Sequence, residues 1–226
     1  MTTFALIPGA GGDAWYWHRV QPILEAAGHR AVAAELPGDD PAAGWEEYAN
    51  AVTGALPPDP GELVVVGQSM GGFTAPVVAQ RRGARRIVLL NAMIPRPGET
   101  GGAWWDNVGQ AAAARAYAVE QGRDPDAEFD LRELFFHDVP AEVTERAMTG
   151  GKEQADTPFG QVWPLDAWPD IPTTVLTGAD DRLFPAVLQA RVARERLGRT
   201  PAVLPGGHLI ALGHPEAVAA ALLADH

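Results

Sequence analysis

The chain has 226 residues, 46% of them hydrophobic and 20% charged, which excludes a disordered or fibrous protein and fits one α/β domain with room for an insertion. It contains no cysteine, so disulfides, thiolate metal sites and a cysteine nucleophile are excluded, and its formal charge of −12 argues against nucleic acid and anionic membrane surfaces as partners. No apolar run approaches the roughly 20 residues of a membrane-spanning helix, and the start lacks the basic stretch and apolar core of a signal peptide, so the expected location is cytoplasmic.

In chain order, a strand is predicted over Phe4 to Ile7, followed by the glycine-rich loop Pro8-Gly9-Ala10-Gly11-Gly12-Asp13 and a helix over Trp15 to Ala27 that Gly28 ends. A second strand, Arg30 to Ala34, leads through Glu35-Leu36-Pro37-Gly38 to a helix over Glu46 to Leu56. Leu63-Val64-Val65-Val66 is apolar at successive positions, as a strand covered on both faces must be, and a helix over Met70 to Arg82 follows it. Arg81, Arg82, Arg85 and Arg86 gather at the end of that helix, where its dipole favours cations and no nucleic acid is needed to explain them. The strand Arg86 to Leu90 comes next.

The rhythm then breaks. Residues 95–169 open on prolines and glycines, hold helix-like pieces at Gln110 to Glu120 and Ala141 to Met148, and contain no convincing strand. This stretch is read as a helical cap inserted into a core formed by 1–94 and 170–226. Nine aromatic residues fall within it, and Trp104, Trp105 and Phe136 are the candidates for a substrate pocket. The alternation resumes with the strand Thr173 to Leu176, a helix over Pro185 to Leu197 ended by Gly198, the strand Pro201 to Leu204 and a helix over Pro215 to Ala224. Repeated strand-helix units of this kind predict a parallel sheet of about six strands flanked by helices.

The motif that carries chemistry is Gly67-Gln68-Ser69-Met70-Gly71-Gly72, and Ser69 is the only serine in the chain. A serine at the tip of a strand-to-helix turn is held in a strained backbone with its hydroxyl above the sheet edge, and the glycines remove side chains that would clash there. The amide of Met70, opening the helix, points where the oxygen of an attacked carbonyl would lie.

On these residues the chain resembles the α/β-hydrolase superfamily over nearly its whole length. That resemblance implies a serine, acid, histidine order along the chain. His208, in Pro205-Gly206-Gly207-His208 after the last predicted strand, stands where the family carries its general base. His214 precedes a helix that opens on proline, and His18, His29, His137 and His226 sit in helix, turn, cap and terminus. For the acid, Asp180 and Asp181 compete as neighbours; the family's spacing from Gly178 to Pro185 selects Asp181. The resemblance also makes the Ala10 amide the second oxyanion donor, although Pro8 stands where many members have histidine.

Within the superfamily, Pro8-Gly9-Ala10, Trp15-x-Trp17, Leu24-x-x-x-Gly28-His29 and Gly67-x-Ser69-Met70-Gly71-Gly72 resemble the small plant-esterase and hydroxynitrile-lyase branch. The implied activity is a carboxylesterase acting on a small or medium uncharged apolar ester, with no cofactor, no metal and a small molecule as its substrate. Lyase, C–C hydrolase and non-hydrolytic cyclase chemistry are alternatives on the same fold. The branch's lyases tend to carry a hydroxyl residue in the first oxyanion loop and a lysine after the histidine, where this chain has Ala10 and Leu209. A non-catalytic binding module is a further alternative. So is an NAD(P)-dependent oxidoreductase, because Gly9-Ala10-Gly11-Gly12-Asp13-Ala14 fits a dinucleotide fingerprint and Glu35 follows about 20 residues on.

Overall fold

The computed structural model describes residues 1–224. The six predicted apolar runs form six strands: β1 (Thr2–Ile7), β2 (Arg30–Ala33), β3 (Glu62–Gln68), β4 (Arg86–Leu90), β5 (Thr173–Gly178) and β6 (Ala202–Leu204). They pair in parallel in the order β2-β1-β3-β4-β5-β6, with β3 near the centre. Side chains alternate across the sheet, so Ala5 and Ile7 of β1 join one buried cluster while Phe4 and Leu6 join the other. One face is covered by α2 (Trp45–Ala55), α3 (Gly71–Arg82) and α9 (Ala186–Leu197), the other by α1 (Gln21–Ala26) and α11 (Pro215–Leu223).

The helix expected over Trp15 to Ala27 is two pieces. A 3-10 turn at Ala14–Trp17 comes first, and α1 starts only at Gln21. Pro22 is the reason: a proline fits the first turn of a helix but not its interior, so the helix begins around it.

Between β4 and β5 the chain forms α4 (Gly101–Asn107), α5 (Gln110–Glu120), α6 (Leu131–Phe135), α7 (Ala141–Gly150) and α8 (Thr157–Gly160). Among the described residues its only β contact is a single antiparallel bridge between Thr100 and Val162. Its root is fixed by a buried ion pair in which Arg196 of α9 meets Glu99, with 2.9 Å between Nη2 and Oε1. No helix among the described residues is long and apolar enough to cross a membrane.

Candidate active site

Ser69 follows the last residue of β3 with φ +49°, a left-handed backbone that a residue with a side chain rarely adopts. Three bonds hold it there: its N–H donates to the Leu90 carbonyl at 3.2 Å, and its own carbonyl accepts from Gly72 at 3.1 Å and Met93 at 2.9 Å. The turn is also too tight for side chains on either side. A Cβ on Gly67 would lie 2.6 Å from the Gly71 carbonyl oxygen, and one on Gly71 would lie 2.7 Å from that of Pro8. The serine side chain is thereby left half-buried at the carboxyl edge of the sheet.

His208 lies between β6 and α10 (Ile210–Gly213). Its Nε2 is 3.0 Å from the Ser69 Oγ, and its Nδ1 is 2.8 Å from Asp181 Oδ2. Asp181, just past β5, is fully buried, and its Oδ1 already accepts the N–H groups of Leu183 at 2.9 Å and Phe184 at 2.8 Å. A carboxylate can only accept, so Nδ1 carries the proton toward Asp181 and Nε2 presents its lone pair to the serine hydroxyl. The neighbouring Asp180 is exposed, and its backbone N–H donates to the Gly206 carbonyl at 3.0 Å. Of the two carboxylates, only Asp181 faces the imidazole.

The imidazole is fixed from its faces as well. Phe135 and Phe184 set their rings edge-on to it at 5.2 and 5.0 Å. From below, Asn91 ties three strand ends together: its Nδ2 donates to the carbonyls of Gly207 and His208, and its Oδ1 accepts from the Gly178 N–H at 2.6 Å. Asn91 is fully buried with φ +45°. No motif singles it out, although an amide placed directly after a buried strand is itself a signal that a polar network awaits it.

Ser69 and His208 open onto a cavity of 420 Å³. Ala10 and Gln68 line its floor, while Leu131, Phe135, Phe136, Met148 and Leu209 supply apolar walls. Of the three aromatic residues expected in the pocket, only Phe136 is there. Trp104 is buried, with its indole N–H donating to the Ile94 carbonyl, and Trp105 packs on Trp104 and Phe184. These indoles serve as core, and through Phe184 they buttress His208 from behind. Phe135, Leu131 and Met148 form the wall in their place. Tyr16 also faces the cavity, and burial pushes its hydroxyl far above the ordinary phenol range, keeping it a neutral hydrogen-bonding group.

The loop that fits a dinucleotide fingerprint is occupied by protein. The Gly11 N–H donates to Gln154 Oε1 at 2.9 Å, and the Glu35 carboxylate accepts from the Ala14 N–H and pairs with Lys152. The arginine cluster is equally engaged: Arg81 pairs with Glu46, Arg85 with Glu62, Arg82 donates to carbonyls at Thr53, Pro57 and Pro58, and Arg86 to those of Leu222 and Ala224. Arg182 is paired with Glu133 and does not line this cavity. Among the described residues, no group of three or more His, Asp or Glu side chains is placed to hold a metal ion.

No other described histidine is bonded to the serine. His18 stacks on Trp15, His29 accepts from the Thr2 N–H, His214 precedes α11, and His226 is beyond the described residues. His137 is different, because both its ring nitrogens are buried without a partner. Burial first, then the positive charge of Arg182, holds it below the ordinary imidazole range.

Residues 4–221 match the model of a family described as the alpha/beta hydrolase family. A pyrethroid hydrolase of Sphingobium wenxiniae is 29% identical over 98% of this chain and 86% of its own length. An alpha-hydroxynitrile lyase of Arabidopsis thaliana is 35% identical over a shorter stretch, 41% of this chain and 40% of that protein. Among solved structures, a pyrethroid hydrolase of Sphingobium faniae superposes with a TM-score of 0.76 at 25% identity, covering 98% of this chain and 95% of the other.

Proposed function

Because this chain belongs to the alpha/beta hydrolase family and is an enzyme of its plant-esterase and hydroxynitrile-lyase branch, we propose that it is a serine carboxylesterase working through Ser69, His208 and Asp181 on a small or medium uncharged, apolar ester. The observation that carries this reading is the unbroken relay from Asp181 Oδ2 through His208 to the Ser69 hydroxyl, ending in a cavity walled largely, though not wholly, by apolar side chains. In the reaction, His208 Nε2 takes the hydroxyl proton as Oγ attacks the ester carbonyl, while Asp181 holds the ring in the productive tautomer and stabilises the imidazolium. The amides of Ala10 and Met70 bind the tetrahedral oxyanion. Collapse expels the alcohol, which takes the proton from His208, and a water activated by the same nitrogen releases the acid. No cofactor takes part.

Residues 95–169 act as the cap that chooses the substrate. Their apolar walls at Leu131, Phe135, Phe136 and Met148 favour apolar groups at about 25 cal/mol per Å² buried, and the charge of −12 slows the approach of polyanions. A fluorophosphonate probe tests the nucleophile: stoichiometric labelling of the enzyme at Ser69 is the expected result, and labelling of a Ser69→Ala variant would overturn it. A panel of nitrophenyl esters graded in size and charge tests the pocket, with a pyrethroid added because the 29% identical relative is named for one. Faster turnover of acidic acyl groups than of neutral ones of equal size would show that the pocket is basic.

A further inference from the structure

We infer that Asp138, a side chain of the cap, is a positioning residue for the catalytic histidine, an inference that rests on the esterase reading. His208 follows Gly206 and Gly207, which carry no side chain to anchor the segment. The anchor comes from the far side of the cleft: Asp138 Oδ2 accepts the Gly207 N–H at 2.6 Å, immediately before His208 in the chain. A charge-assisted bond of this length fixes the Gly206–Gly207 peptide plane, one residue ahead of His208. Asn91 holds the carbonyls of Gly207 and His208 from the sheet side, so the segment is gripped from both walls.

The local sequence is shaped to this contact. A Cβ on Gly207 would lie 2.8 Å from Asp138 Oδ1 and 2.5 Å from the His137 ring, so a side chain there would push the carboxylate off its donor. Gly206 has φ +115°, and a Cβ on it would lie 3.0 Å from Asp138 Oδ2 and 2.4 Å from the His214 ring. His214 Nε2 itself stands 3.5 Å from Asp138 Oδ2, beyond ordinary hydrogen-bond length, which leaves the Gly207 N–H as the close donor to that oxygen. The cap therefore does more than wall the substrate. It sets the height of the base above the serine.

The test measures kcat, KM and Tm, counting active sites with the fluorophosphonate probe. Asp138→Ala is expected to lower kcat per titrated site about ten- to hundredfold, the scale of a misplacement near 1 Å, with KM within about twofold. Asp138→Asn, whose amide oxygen still accepts the Gly207 N–H, is expected to restore kcat to within about threefold. If Asp138→Ala does not fold, Asp138→Glu carries the test, because its extra methylene displaces the acceptor and must cost kcat at an unchanged Tm. Full kcat in Asp138→Ala or Asp138→Glu, or an Asn variant as impaired as Ala, overturns the inference. Ser69→Ala is run alongside: if it is active, the esterase reading falls and takes this inference with it, whereas an inactive Ser69→Ala beside a fully active Asp138→Ala overturns the Asp138 role alone.

Discussion

The sheet and the helical segment between β4 and β5 build opposite walls of one cavity by different means. On the sheet side nearly every residue of β3 and β4 is buried, and Ser69, Asp181 and His208 all stand just past strand ends. On the helical side α5, α7 and α8 each bury a single residue and α6 buries none, while Val119, Phe129, Leu131, Met148 and Val162 stay exposed. In the reading proposed above, the chemistry sits on the densely buried part of the molecule, and the choice of substrate on a part that buries far less and is the readier to open locally. Asp138 and Gln154 are where the second part reaches over and touches the loops of the first.

The sharpest way to break this contrast is at the nucleophile. Ser69→Ala is expected to lower kcat about 10⁴-fold or more while leaving Tm nearly unchanged, because the turn is held by backbone bonds that alanine keeps. Kinetics with thermal melts check both halves; a large loss of Tm would mean that the hydroxyl itself holds the fold. Next comes the acid. Asp181→Asn is expected to cost up to about 10⁴ in kcat by presenting the wrong hydrogen-bonding face to Nδ1, whereas Asp180→Asn changes it by no more than about threefold. Equal losses at the two positions would contradict the assignment of Asp181 as the acid.

A smaller effect separates the regions from the other side. Glu99→Ala leaves Arg196 buried without its counter-charge and is expected to cost about 3–5 kcal/mol of stability, read by denaturant melts, with kcat per titrated site little changed. The smallest effect is one of pH. His137 has its folded pKa depressed, so on acidification the unfolded chain takes up the proton first, starting near the ordinary imidazole value of about 6.5. Stability is therefore full above that pH and falls as pH drops toward the folded value. Tm measured from about pH 8 down to pH 5 is expected to fall less steeply in His137→Gln than in the parent.

The same contrast governs what can be read from the chain. The inner strands β1, β3, β4 and β5 are legible because a strand buried on both faces writes itself as an apolar run, and Arg86 to Leu90 is matched residue for residue; the more exposed edge strands β2 and β6 are legible from their place in the strand-helix alternation. Ser69 is legible because the turn at the end of buried β3 constrains local sequence, and His208 through the family resemblance of the segment after the last strand. Helices α4, α6, α8 and α10, of four to seven residues, are too short to show a period of 3.6. Aromatic density points to Trp104 and Trp105 as pocket residues, yet a ring large enough to close a pocket is also the best filler for a thin core, and that is the place they take. Asn91 and Asp138 have no motif at all, since each acts only through partners far along the chain.

The left-handed backbone at Ser69 sets catalytic competence against endurance. For an L-residue with a side chain that conformation costs about 1–2 kcal/mol, and glycine alone is spared it. Ser69→Gly is thus the one change at this position expected to remove the proposed activity and harden the protein together. A library of this enzyme enriched by heat, with no ester to hydrolyse, would be drawn toward that inert glycine, so any engineering for durability has to screen for turnover in the same round.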